Sequence, residues 1–150
     1  MNTYDELTVM EILLVEDSKS DAHLTIETLA ESRVSNNVHW VKNGVEALDF
    51  LYQQGNYTDA PRPDLILLDL NLPKKNGGKV LEEIKHNDGL KSIPVIVLTT
   101  SAEEEDVLRI YQLQANSYLV KPVDLEQFIA VVKSIETFWL TAVTLPPRTD

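Results

Sequence analysis

The chain carries 150 residues, a formal charge of −11 and no cysteine. That length fits one domain with a real core, and the lack of cysteine excludes disulfides, thiolate chemistry and cysteine metal sites. The acidic balance opposes direct binding to nucleic acid or anionic lipid. No apolar run or N-terminal pattern points to a membrane or to export, so a cytoplasmic protein is expected.

Residues 1–10 read as a polar leader. Glu11–Val15 is the first short apolar run and stops at Glu16-Asp17; Ala22, Ile26, Leu29 and Ala30 then recur at helical spacing, with Ser18 or Ser20 as cap. Asn37–Val41 is a second strand, and Asn43-Gly44 turns into a helix whose inner face is Val45, Leu48 and Leu51, fading at Gly55. In the strand Asp64–Leu68, which stops at Asp69, Leu65–Leu68 is apolar on both faces, as a central strand covered on two sides should be. Pro73 and Gly77-Gly78 punctuate the next loop, and a helix carrying Val80, Leu81 and Ile84 closes at Asn87-Asp88-Gly89.

Val95–Leu98 is the fourth strand and stops at Thr99. Ser101 with Glu104 three residues on has the form of a capping box for a helix reaching about Leu113. Ser117–Val120 is the fifth strand and stops at Lys121. The last helix, Val123–Leu140, turns Leu125, Phe128, Ile129, Val132, Ile135 and Trp139 to the sheet and leaves Val131 and Phe138 off that stripe.

Strand then helix, five times, predicts an α/β fold: a five-stranded parallel sheet with helices on both faces. In such sheets functional groups gather at the carboxyl ends of the strands. Here that rim would hold three carboxylates (Glu16, Asp17, Asp69), the Thr99 hydroxyl and the Lys121 ammonium. Three clustered acids repel one another, which implies a divalent cation.

The segments LLVEDS at Leu13–Ser18, LILLDLNLPKKNG at Leu65–Gly77, VLTT at Val97–Thr100 and YLVKP at Tyr118–Pro122 resemble the receiver domain of two-component response regulators. The resemblance covers about residues 11–140 and implies the flavodoxin-like (βα)5 receiver fold. It further implies that Asp69 accepts a phosphoryl group from a sensor histidine kinase. Asp17, Asp69 and the backbone carbonyl of Asn71 would hold Mg²⁺, with Glu16 ligating directly or through water; Mn²⁺ or Ca²⁺ could substitute. Lys121 would neutralise a phosphoryl oxygen, Thr99 would hydrogen-bond another, and Tyr118 would be an aromatic switch coupled to Thr99. The resemblance also points to a cis Lys121-Pro122 peptide.

Two positions depart from that pattern. Thr100 stands where a small residue is usual and would narrow access to the site. Gln114 stands where the turn before the fifth strand usually has glycine.

No further module is read after Leu140, so the output is expected to be a protein contact. Phe138, Trp139, Leu140, Val143 and Leu145, in the last helix and a tail over residues 141–150, would form part of a homodimer contact. PRPDLILLDLNLPKK and IETFWLTAVTLP look most like the single-domain response regulators that serve cyanobacterial phytochromes. Two other functions compete. An aspartyl-phosphate phosphohydrolase wants a second carboxylate two residues after the nucleophile, where Asn71 stands. A degenerate receiver used only for binding would need a gap among Asp17, Asp69, Thr99 and Lys121. The expectation is therefore a phosphoacceptor with at most slow self-dephosphorylation.

Overall fold

A computed structural model describes residues 9–32, 35–70, 72, 76–100 and 103–136. Five strands, β1 (Met10–Val15), β2 (Asn36–Val41), β3 (Leu65–Asp69), β4 (Val95–Thr99) and β5 (Ser117–Val120), form one parallel sheet in the order β2-β1-β3-β4-β5. Helices α1 (Lys19–Ala30), α2 (Gly44–Leu51), α3 (Gly77–Lys85), α4 (Glu104–Gln112) and α5 (Leu125–Glu136) connect and follow them. A single 3-10 turn, Gly55–Tyr57, interrupts the loop into β3.

The two-residue period of the strands divides the core into two layers. Ile12 and Leu14 face α1 and α5 with Leu65, Leu67, Ile96 and Phe128, whereas Leu13 and Val15 face α2, α3 and α4 with Ile66, Leu68, Val95 and Ile84. A sheet buried on both faces must be apolar in consecutive positions, and β3 is buried from Leu65 through Asp69. The chain leaves β1 first to one side, for β2, and then to the other, for β3. The crevice above the β1–β3 junction is where open sheets of this kind bind ligands.

Helix starts follow local chemistry. The Ser18 hydroxyl accepts the Asp21 N–H, the Asn43 side-chain amide oxygen accepts the Glu46 N–H, and the Asn76 side chain accepts the Lys79 N–H. Gly77 is dictated by crowding, since a side chain there would run into the Asp69 carbonyl and the Leu70 backbone. This close approach lets α3 begin directly beside the end of β3.

Helix α4 follows Glu103, which makes no side-chain cap; Ser101 of the expected capping box lies outside the described residues. Three expectations are corrected. On α2 the buried stripe is Gly44, Ala47, Leu48 and Leu51 with Phe50, at i, i+3, i+4 and i+7, and Val45 falls to its side and is exposed. On α5, Phe128, Val131 and Val132 pack against the core and Ile129 is exposed. On α1, Thr25 and Thr28 take inward positions while Ala30 is exposed; the Thr28 hydroxyl is accommodated because it donates to the Val123 carbonyl at 3.3 Å. Among the described residues no helix is long and apolar enough to cross a membrane.

Candidate functional site

The sheet register brings the strand ends to one rim. Val15 pairs with Leu68, Asp69 with Leu98, and Thr99 with Val120, so the residues just beyond β1 and β5 flank the end of β3. The Lys121 N–H donates to the Thr99 carbonyl at 2.7 Å, extending the ladder by one residue and holding the lysine at the rim. The Lys121–Pro122 peptide is cis.

Lys121 Nζ lies 2.6 Å from Glu16 Oε1, 2.9 Å from Asp69 Oδ2 and 3.3 Å from Asp21 Oδ2. Glu16 and Asp69 are buried, while Asp17 is exposed. Oxygens of Glu16, Asp17 and Asp69 all lie within 4.8 Å of one another. Burial first, and the nearby Asp69 second, push the Glu16 carboxyl up to about 7, against the opposing pull of Lys121 and the Ser18 N–H. Burial pulls the Lys121 ammonium down, but its bonds to Glu16 and Asp69 and their charges outweigh that and hold it above the ordinary lysine range.

These residues fit a divalent cation. Mg²⁺ takes oxygen ligands at about 2.1 Å, so adjacent ligands in an octahedron sit roughly 3 Å apart and opposite ones roughly 4.2 Å apart, and the acid oxygens lie within 4.8 Å of one another. Glu16 Oε1 is fully buried and receives no aligned hydrogen bond. Among the described residues its carboxylate is met by the Lys121 ion pair and, on Oε2, by the Ser18 N–H, on a rim where Glu16, Asp21 and Asp69 share that one ammonium and Asp17 stands beside them. A second positive charge would relieve that imbalance.

Thr99 and Thr100 line a pocket of about 120 Å³ with Leu70, Asp106, Arg109 and Ile110, between the end of β4 and α4. Thr100 is exposed there. Tyr118 is half-buried on β5 and meets Tyr111 of α4 edge-on, ring centres 6.3 Å apart at 78°. Asn71, Phe138, Trp139, Leu140, Val143 and Leu145 lie outside the described residues.

A family model of the response regulator receiver domain matches residues 12–133. The chain belongs to that family. As a receiver it is 53% identical over 135 residues to the response regulator Rcp1 of Synechocystis sp., covering 90% of this chain and 92% of Rcp1. The crystal structure of the Mn²⁺-bound form of Rcp1 superposes with a TM-score of 0.72 at 52% identity, covering 90% of this chain and 97% of that one. That of the phosphorylated cyanobacterial phytochrome response regulator RcpA superposes with a TM-score of 0.73 at 51% identity, over 89% and 96% of the two chains. The bacteriophytochrome response regulator RtBRR gives a TM-score of 0.79 at 45% identity, over 87% and 80%.

Within this receiver, sequence reasoning missed two residues at the rim. Asp21 completes the set of acids around Lys121; its signal was its place in the first turn of the helix that follows the acid pair. Trp40 reaches the site from β2, donating its indole N–H to the Glu16 carbonyl at 2.7 Å, and nothing in its strand context announces this.

Proposed function

We propose that this receiver is the response regulator of a phytochrome-type sensor histidine kinase and accepts its phosphoryl group on Asp69 in the cytoplasm. The observation that carries the reading is the Lys121 ammonium held between Glu16 and Asp69 at the end of the central strand, with Asp17 and Thr99 on the same rim. The names of RcpA and RtBRR support the phytochrome connection.

In this reading an Asp69 oxygen attacks the phosphorus of a phosphohistidine; an O–P bond forms as the N–P bond breaks, and the imidazole leaves with the electron pair. A carboxylate is a weak nucleophile towards an anionic phosphoryl group, so positioning and charge neutralisation carry the step. Lys121 leaves its acid partners to neutralise one phosphoryl oxygen, and the Thr99 hydroxyl donates to another. Asp17 and Asp69, with Glu16 and the Asn71 carbonyl, would hold the cation, read as Mg²⁺. When bound it supplies positive charge at the transferring phosphoryl oxygens.

Domain assignment follows: residues 11–140 are the receiver, residues 1–10 a leader and residues 141–150 a tail. Modification biases a two-state surface only if the phosphoryl group bonds differently in the two states. The pocket beside Thr99 and Thr100 gives the hydroxyl room to move, and the Tyr118–Tyr111 contact connects β5 to α4. Leu108 and Tyr111 on α4 and Ile129 on α5 are exposed large apolar residues. We read this face, continued by Phe138, Trp139, Leu140, Val143 and Leu145, as a homodimer contact. The protein is a phosphoacceptor, with turnover limited to slow self-dephosphorylation.

Phosphotransfer tests the reading. A bacterial phytochrome kinase loaded from labelled ATP should lose its label to this protein within minutes, and only with Mg²⁺ present. Labelling by acetyl phosphate without transfer from the kinase would overturn the phytochrome partnership alone. Labelling by neither would overturn the phosphoacceptor role.

A further inference from the structure

The site described above leaves open what fixes Asp17. Its side chain is exposed, so packing does not hold it, yet it must meet two buried carboxylates within a few ångströms. The backbone that presents it is tied down on both sides. The Glu16 N–H donates to the Val41 carbonyl at 3.1 Å, which carries the β1–β2 ladder one residue past the end of β1. The Glu16 carbonyl accepts the Trp40 indole N–H at 2.7 Å, and Glu16 Oε2 accepts the Ser18 N–H at 3.2 Å.

We propose that Trp40 is a positioning residue for the metal centre, its indole N–H holding the peptide plane from which Asp17 departs. The inference rests on the divalent-cation reading of the acid cluster. The peptide group is planar, so a tether on the Glu16 carbonyl sets the direction of the Asp17 N–H and the place of its Cα. In the sheet Trp40 stands opposite Leu14, two residues short of Glu16. Only a long side chain ending in a donor spans that offset. Phenylalanine fills similar space without the N–H, and a shorter residue does not reach.

The indole is itself held. It is half-buried against the α1–α5 core layer, the His23 ring meets it edge-on at 5.7 Å, and Lys42 Nζ lies 5.4 Å from its centre. A donor anchored on three sides has little orientational freedom to lose when it holds the carbonyl. Outer partners of metal-ligating residues commonly matter 10–100-fold for affinity. A tether on the ligand's own peptide, one step from the carboxylate, belongs near the lower end of that range.

The test uses Mn²⁺ binding followed by the free-ion EPR signal for wild type, Asp17→Asn and Trp40→Phe, with Mg²⁺ titrations of ¹⁵N-tryptophan-labelled protein beside it. Of the two tryptophan side-chain resonances, the one absent from Trp40→Phe is the Trp40 indole. The expectation is that wild type binds, Asp17→Asn binds far more weakly, and Trp40→Phe loses about tenfold in affinity. The Trp40 indole resonance should move along one saturable curve as Mg²⁺ is added. Wild-type affinity in a folded Trp40→Phe, alongside normal binding by wild type, would overturn the role of Trp40 and leave the metal reading standing. If wild type takes up no Mn²⁺, the metal reading falls and this inference with it. Should Trp40→Phe fail to fold, the wild-type titration decides: a resonance unmoved at saturating Mg²⁺ is that of a residue that only packs.

Discussion

At the scale of single residues the acids, the hydroxyl and the ammonium gather at the strand ends, and their types were legible because each terminates an apolar run. Asp17 tests the division of labour among the acids. Asp17→Asn removes one of three crowded carboxylates, which weakens cation binding and also relieves repulsion. We expect it to be labelled by acetyl phosphate far more slowly than wild type, while melting at the same or a higher temperature without metal. Labelling at the wild-type rate would contradict its role. A second ionic contact lies away from the rim, where Glu11 Oε1 meets His39 Nε2 at 2.7 Å and Asn37 donates to Glu11 Oε2 at 3.1 Å. Burial pushes the Glu11 carboxyl up, but these partners outweigh it and hold it below its ordinary value. A depressed carboxyl stabilises the fold above its unfolded-state pKa, and that contribution is lost as pH falls through the folded value. Glu11→Gln should therefore cost well under 1 kcal/mol at neutral pH, given its solvent access, and the gap to wild type should close in acid; chemical denaturation at two pH values checks this. What escaped the sequence at this scale were Asp21 and Trp40. Asp21 had a signal in its place in the first turn of α1, whereas Trp40 reaches the site from β2 through side-chain length and sheet register, which no local pattern encodes.

At the scale of elements, the five strands and five helices follow from apolar periodicity, and their ends within the described residues were read to within a few residues; the expected end of the last helix at Leu140 lies outside them. The misread positions share a cause. A stripe inferred from bulky residues overlooks small or polar ones that also face inward: Gly44 and Ala47 define the inner line of α2, which leaves Val45 outside, and Thr25 and Thr28 do the same on α1. The cap expected for α4 falls on Ser101, outside the described residues. Gln114 adopts φ +69°, the left-handed region that disfavours residues with a side chain. Gln114→Gly should raise stability by roughly 0.5–1 kcal/mol, the strain relieved less the added freedom of the unfolded chain. Loss of stability on urea denaturation would mean that the glutamine side chain makes up for its backbone.

At the scale of the molecule, the sheet order makes the fold and the site inseparable. The reversal at β1 opens the crevice, and the same three strands that form the centre of the core, β1, β3 and β4, end at the rim. The proposed homodimer belongs to this scale. Burying one large apolar side chain contributes roughly 1.5–3 kcal/mol, and a two-fold contact counts each residue twice, so a paired tail can support association despite ordering costs. Phe138→Asp should shift the protein towards monomer in light scattering while Asp69 still takes phosphate; an unchanged dimer would place the contact elsewhere. The central claim, that Asp69 is the phosphoacceptor at a cation-dependent rim, is tested most directly by intact-mass analysis after incubation with Mg²⁺ and acetyl phosphate. Wild type should gain one labile phosphate, and Asp69→Asn, folded by circular dichroism, should gain none. Undiminished labelling of Asp69→Asn, or full labelling of wild type in excess EDTA, would contradict it.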